Sequence, residues 1–204
     1  MIAPKLLSHP TVLKISKFIS DFFNPFTSLI LYFIYLSYKS MGLQESLLSF
    51  LPKFLLLVLP IFLWIYFNVK RGVYTNMDVS NRKQRKSLYI FAFICMITYI
   101  GVYRIIYKEI DHVMVFLVVL MLLMQASNFF IKSSMHTALN VYAAALFFSL
   151  TPWLGFVWLG IAALVGLTRI ILKRHSVAEV LVGAFLGLLV SLLYLYFHIQ
   201  STFS

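Results

Sequence analysis

Thr168 to Gly187 reads TRIILKRHSVAEVLVGAFLG, and this stretch decides the fold. Arg169, Lys173 and Arg174 come first, then His175 at the mouth of an apolar run that continues to about Phe197. About 20 apolar residues are what a helix needs to cross the hydrocarbon of a bilayer, so the stretch predicts a membrane helix entered through a basic turn. Glu179 follows His175 by four residues. On a helix that spacing places both side chains on one face, close enough for the carboxylate to orient the imidazole. A helix N-terminus also presents free N–H groups and partial positive charge, which suit a phosphate. Imidazole, carboxylate and arginine are the parts of a phosphoryl-transfer site; the competing reading is a set of headgroup-facing charges at a membrane boundary.

Similar apolar runs recur along the chain. Of 204 residues, 62% are hydrophobic and only 11% charged, which excludes an ordinary soluble domain and predicts an all-α, polytopic membrane bundle. The net charge of +11 is confined to short loops, a pattern suited to anionic headgroups or phosphate rather than nucleic acid. The one cysteine, Cys95, lies inside an apolar run, so no internal disulfide and no cysteine-based metal site is expected. The opening MIAPKLLSHPTVLKISKF has neither a continuous apolar core nor a small-residue cleavage site, and reads as no cleavable signal peptide.

In chain order, residues from about Pro10 to Phe23 interleave Val12, Leu13, Ile15, Phe18, Ile19 and Phe22 with Lys14, Lys17 and Asp21. This predicts an amphipathic helix on the membrane surface within residues 1–23. Spans are expected at about Phe26–Tyr38, Leu47–Phe67, Leu88–Tyr107, His112–Ile131, Thr137–Leu150, from the Thr151-Pro152 turn to Thr168, and His175–Phe197. The second contains Pro52 and Pro60, which membrane helices tolerate at a bend. The first and fifth are the shortest, so the expectation is six to seven transmembrane helices in a single membrane domain, residues 1–204. No internal repeat and no separate soluble domain is expected. Two crossings separate the Arg82 region from Lys132–His136, and two more separate that from Arg169–His175. The three polar clusters therefore emerge on one face of the membrane, as a shared site requires and as independent loop charges do not.

In this order the clusters resemble the type 2 phosphatidic acid phosphatase family, whose superfamily includes vanadium haloperoxidases. The family's third motif, S-R-x5-H-x3-D, is met by Thr168-Arg169-x5-His175-x3-Glu179, and its second, P-S-G-H, by Ser134-Met135-His136. The first, K-x6-R-P, has its best counterpart in Asp78-x6-Arg85-Lys86. DVSNRKQR, KSSMH and RHSVAEVLVGAFLG also resemble a bacterial branch of small membrane proteins of this kind. The likeness runs from about Val69 to Leu189, within a family-like core of about residues 69–198.

The resemblance implies that His175 attacks phosphorus and becomes a phosphohistidine, with Glu179 holding its other ring nitrogen. It makes His136 the general acid that protonates the leaving alkoxide. Arg169, Arg85 and Ser134 would hold the phosphoryl oxygens, as fixed cations in a partly dry site can. Arg82, one helical turn before Arg85, is the candidate to replace the missing lysine of the first motif, and Lys132 is another. No metal and no cofactor is implied. The partners expected are a lipid phosphate substrate and membrane lipids, with no nucleic acid and no obligate protein partner.

Three functions fit the residues. They are a lipid phosphatase acting on a polyprenyl, phosphatidyl or lipid A type monophosphate or diphosphate, a phosphotransferase on the same scaffold, and a non-enzymatic lipid-binding transporter. Localisation is a cell membrane, multi-pass. Loop cations are denser on the side of the three clusters, which by the positive-inside rule points to the cytoplasm. The family resemblance points to the outer face.

Overall fold

The computed structural model describes residues 9–40, 42–79 and 81–203, and every regular element among them is a helix. Two compact units emerge. One comprises Met1–Tyr32 and Phe130–Ser204, the other Phe33–Phe129.

The first unit is built around a helix of 16 residues, Met135–Leu150, which we number α7 by its place in the chain. Its residues from His136 to Phe147 are all buried, as expected of a helix that is apolar on every side and serves as a core. Against it pack α8 (Pro152–Ile171) and α9 (Val177–Phe203). The approach of α9 is set by Gly183, Gly187 and Ser191, a small residue every fourth position. A Cβ on Gly183 would stand 2.6 Å from the Ser134 carbonyl oxygen, and one on Gly187 2.6 Å from that of Ala138. Ser191 Oγ donates to the Val141 carbonyl at 3.3 Å. Small residues let backbones touch, and this is how membrane helices pack where lipid supplies no hydrophobic drive between them. The α7–α8 turn is equally tight: Pro152 opens α8, and a Cβ on Gly155 would meet Phe148 Cβ at 2.5 Å.

The amphipathic pattern near the start becomes α1 (Pro10–Phe22), followed after a 53° bend by α2 (Pro25–Ser40). Asn24 makes the bend. Its Oδ1 accepts the N–H groups of Phe26 and Thr27, while Pro25, lacking an N–H, begins the next helix at no cost. The exposed side of α1 mixes Lys14, Lys17 and Asp21 with large apolar residues, and its most buried positions are serines. Ser16 and Ser20 are buried and α1 packs on α8, whereas Ile15, Phe18 and Phe22 face outward. The unit boundary falls inside α2.

In the second unit, α3 (Leu43–Lys53) runs through a π-helical turn, Phe54–Val58, into α4 (Leu59–Lys70). The turn lies between Pro52 and Pro60. There the Leu59 N–H reaches back to the Phe54 carbonyl, so the expected proline bend is taken up as a wider turn inside one long helix. Next come α5 (Arg82–Tyr107) and α6 (His112–Ser127), a hairpin whose turn is fastened by Asp111. The Asp111 carboxylate accepts the Met114 N–H at 3.1 Å and the Tyr99 hydroxyl at 2.9 Å, and lies 3.8 Å from Lys53 Nζ. The ammonium of Lys53 also sits over the rings of Phe33, Tyr99 and Tyr103.

Among the described residues four helices are long and apolar enough to cross a membrane: Leu47–Lys70, Arg82–Tyr107, Pro152–Ile171 and Val177–Gln200. The bent pair Pro10–Phe22 and Pro25–Lys39 makes a fifth if counted as one span, and His112–Ser127 and Met135–Leu150 are shorter apolar helices. Their outward faces are greasy, with Ile90, Ile94 and Ile97 on α5 and Leu181, Phe185, Leu188 and Leu192 on α9 all exposed. So continuous an apolar surface is costly in water and matches lipid.

Candidate functional site

The stretches Lys132–His136 and Arg169–Glu179 meet at one end of the three-helix core of the first unit. Helix α8 closes with Lys173 in the left-handed region, φ 53°, where glycine is the usual occupant. That turn folds the chain back so that the Arg169 carbonyl accepts the N–H of Arg174 at 3.0 Å and of His175 at 3.2 Å. His175 is thus hung from the last turn of α8, and its side chain is fully buried.

The sequence reading put His175 on the helix; the structure places it just before. Ser176 takes the N-cap position, where its short hydroxyl satisfies a helical N–H. Ser176 Oγ accepts the Glu179 N–H at 3.2 Å, and Glu179 Oε2 accepts the Ser176 N–H at 3.1 Å, a reciprocal capping box. The same Oε2 lies 2.8 Å from His175 Nδ1. Glu179 therefore both closes the helix end and holds the imidazole. When Nδ1–H donates to that carboxylate, the lone pair of the neutral ring resides on Nε2.

The opening of α7 is joined to this turn. The Ser134 N–H donates to the Glu179 carbonyl at 2.9 Å, and Lys132 Nζ donates to the Arg174 carbonyl at 3.1 Å. Ser134, wholly buried, is the N-cap of α7 and accepts the Thr137 hydroxyl at 3.0 Å. As a hydroxyl it keeps its own proton to donate. His136 is buried in the first turn of α7, with its carbonyl taking the Asn140 amide at 2.8 Å. Arg169 is 1% exposed, and its Nη1 donates to Ser20 Oγ on α1 at 2.9 Å. Buried polar groups are expensive in an apolar chain unless they are bonded, so their gathering at one end is the informative feature.

Arg82 and Arg85 belong to the second unit. Both stand in the first turn of α5, which begins at Arg82 rather than near Leu88. Arg85 is buried, and its Nε donates at 3.1 Å to the carbonyl of Val79, a β-branched residue held at φ 46°. Arg82 is exposed and donates through Nε to the Asn128 carbonyl at the end of α6. In the preceding polar stretch, buried Tyr74 bonds Trp64 and Ser87, and Gln84 bonds Val73 and Thr75. The first turn of one helix thus holds the two arginines in different surroundings.

Three contributors escaped the sequence reading. The capping serine, Ser176, was legible in the S-x-x-E spacing. Asn140 was detectable as an amide inside an apolar span; it accepts from Ser28 Oγ and donates to the carbonyls of Phe23 and His136, pinning the α1–α2 bend to α7. Ser20, 149 residues from Arg169, had no local signal.

Among the described residues no group of three or more His, Cys, Asp or Glu stands close enough to hold a metal ion. No protein-family model, curated protein or solved structure matches the chain.

Proposed function

We propose that this chain is a multi-pass membrane phosphatase of the type 2 phosphatidic acid phosphatase kind, hydrolysing a lipid phosphate or diphosphate through a phosphohistidine. The observation that carries the reading is the His175 Nδ1–Glu179 Oε2 contact of 2.8 Å at a buried helix junction. An imidazole so held offers Nε2 as nucleophile at neutral pH. Its attack forms an N–P bond and breaks the P–O bond to the lipid, whose alkoxide takes a proton from His136. Water then attacks the phosphohistidine, His136 recovers a proton from that water, and His175 is released with free phosphate. Arg169 and Ser134 stabilise the phosphoryl oxygens, and Lys132 adds charge to the same turn. Arg85 and Arg82 enter as phosphoryl ligands on the strength of the motif resemblance.

The membrane arrangement that goes with this reading has seven crossings, the bent pair counting as one and both shorter apolar helices as spans. A helix of 16 residues is about 24 Å long, short of a roughly 30 Å hydrocarbon layer, but α7 is enclosed by protein along most of its length. The test is phosphate release from a lipid phosphate by purified protein in EDTA. Release that persists in EDTA and disappears in His175→Ala supports the reading. Release that needs added Mg²⁺, or no release from any lipid phosphate, contradicts it.

A further inference from the structure

We infer that Ser20 of α1 is a positioning residue for Arg169, so that the N-terminal helix packed on α8 sets the anion-binding geometry of the site; this rests on reading Arg169 as a phosphoryl ligand. Three observations carry the inference. Arg169 is among the most buried side chains in the protein, and its Nη1 donates to Ser20 Oγ at 2.9 Å. Ser16 and Ser20, four residues apart, turn inward on α1 while Phe18, 68% exposed, and Phe22 turn outward. Ser16 and Ser20 are the two buried residues of α1, so the helix presents hydroxyls on the side that packs on α8. The placement of α1 is also fixed independently of Ser20. Asn140 Nδ2 holds the Phe23 carbonyl at 2.9 Å, and the Phe23 ring meets Trp158 edge-on at 5.9 Å.

The chemical consequence concerns the guanidinium. It is a planar fork of five donors whose value for phosphate lies in presenting two of them in fixed directions. A hydroxyl bonded to one Nη fixes the plane of the fork and hence the direction of the rest. Ser20 carries no charge and touches no reacting atom in this account. Its loss leaves the cation in place but removes one of the bonds that fix its plane, which weakens phosphate binding more than it slows the chemistry.

The experiment compares wild type, Ser20→Ala, Ser20→Thr and Ser16→Ala in bilayer nanodiscs. Three quantities are read: hydrolysis of a lipid phosphate, binding of inorganic phosphate by calorimetry, and the thermal midpoint. The expected result is a rise of about tenfold in KM and in the phosphate Kd for Ser20→Ala, the loss of one hydrogen bond to a charged group, with kcat changed less. Ser20→Thr, which keeps the hydroxyl, restores both; Ser16→Ala stays near wild type; the thermal midpoints agree. If wild type hydrolyses and binds phosphate but Ser20→Ala does so equally well, the inference is overturned and the phosphatase reading stands. If wild type binds phosphate without hydrolysing any lipid, and Ser20→Ala weakens that binding, the phosphatase reading fails and the inference stands. Absence of phosphate binding in wild type overturns the inference, and hydrolysis then decides the phosphatase reading separately. Equal losses in Ser20→Ala and Ser16→Ala with a lowered midpoint also overturn it, showing a packing role only.

Discussion

At the scale of single residues, Glu179 carries two duties that can be separated. Its carboxylate caps α9 through the Ser176 N–H and holds His175 Nδ1. Ser176→Ala removes one half of the capping box and should cost about 1 kcal/mol of stability with little change in rate. Glu179→Ala removes the cap and the imidazole's partner together, so stability should fall by a similar amount while single-turnover hydrolysis falls by about a hundredfold or more. A Glu179→Ala rate equal to that of Ser176→Ala would reduce Glu179 to a cap. His136 has its own signature, because a general acid matters most when the leaving group is poor. His136→Ala should slow an alkyl phosphate far more than an activated aryl phosphate, and equal losses on both would remove His136 from that role. Much of this was readable in advance: the four-residue step from His175 to Glu179 implies contact on a helix. The contact forms instead across a helix N-terminus because Ser176 is the better cap. By contrast, the partner of Arg169 could not be read, since nothing near Ser20 in sequence points to a residue on α8.

At the scale of elements, the histidines are held by the approach of α9 to α7. Gly183 and Gly187 face backbone carbonyls at 2.6 Å, and oxygen atoms of a helix backbone cannot move aside as a flexible side chain would. Gly183→Ala and Gly187→Ala should therefore each cost about 1–3 kcal/mol. Gly183→Ala should also depress activity, because Ser134 sits directly against it. Gly160 on α8 has nothing within 4 Å of where a Cβ would stand, so Gly160→Ala should leave thermal unfolding unchanged or raised. At the α8–α9 turn the strain runs the other way: Lys173 holds φ 53° where glycine is at ease. Lys173→Gly should stabilise by about 1 kcal/mol in thermal unfolding, and a loss of that size would mean the Lys173 side chain contributes contacts of its own. Helix existence was legible from apolar run length, and most limits fell within a few residues. The start of α5 was not, because RKQRKS reads as a polar loop until Asn81 is recognised as its N-cap, accepting the Lys83 N–H at 2.9 Å. The central place of α7 was hidden too: a short, uniformly apolar helix reads as a marginal span, and only packing shows it to be a core.

At the scale of the whole molecule, the proposed seven crossings would put the chain's two ends on opposite sides of the membrane. In sealed vesicles a tag at one terminus should be cleaved by added protease and a tag at the other protected; cleavage or protection of both would require an even number of crossings. On that proposed topology the side that holds the N-terminal tag is also the side of the site, so the same measurement would decide between the cation-rich loops and the family resemblance. The chemistry itself is tested most directly by trapping. A phosphate-labelled lipid is mixed with excess protein, quenched in alkali within one turnover, and the labelled peptide located. The account predicts an acid-labile, alkali-stable label on His175, absent from His175→Ala and accumulating when water attack is slowed. Label on another residue, or undiminished hydrolysis by His175→Ala, would contradict it.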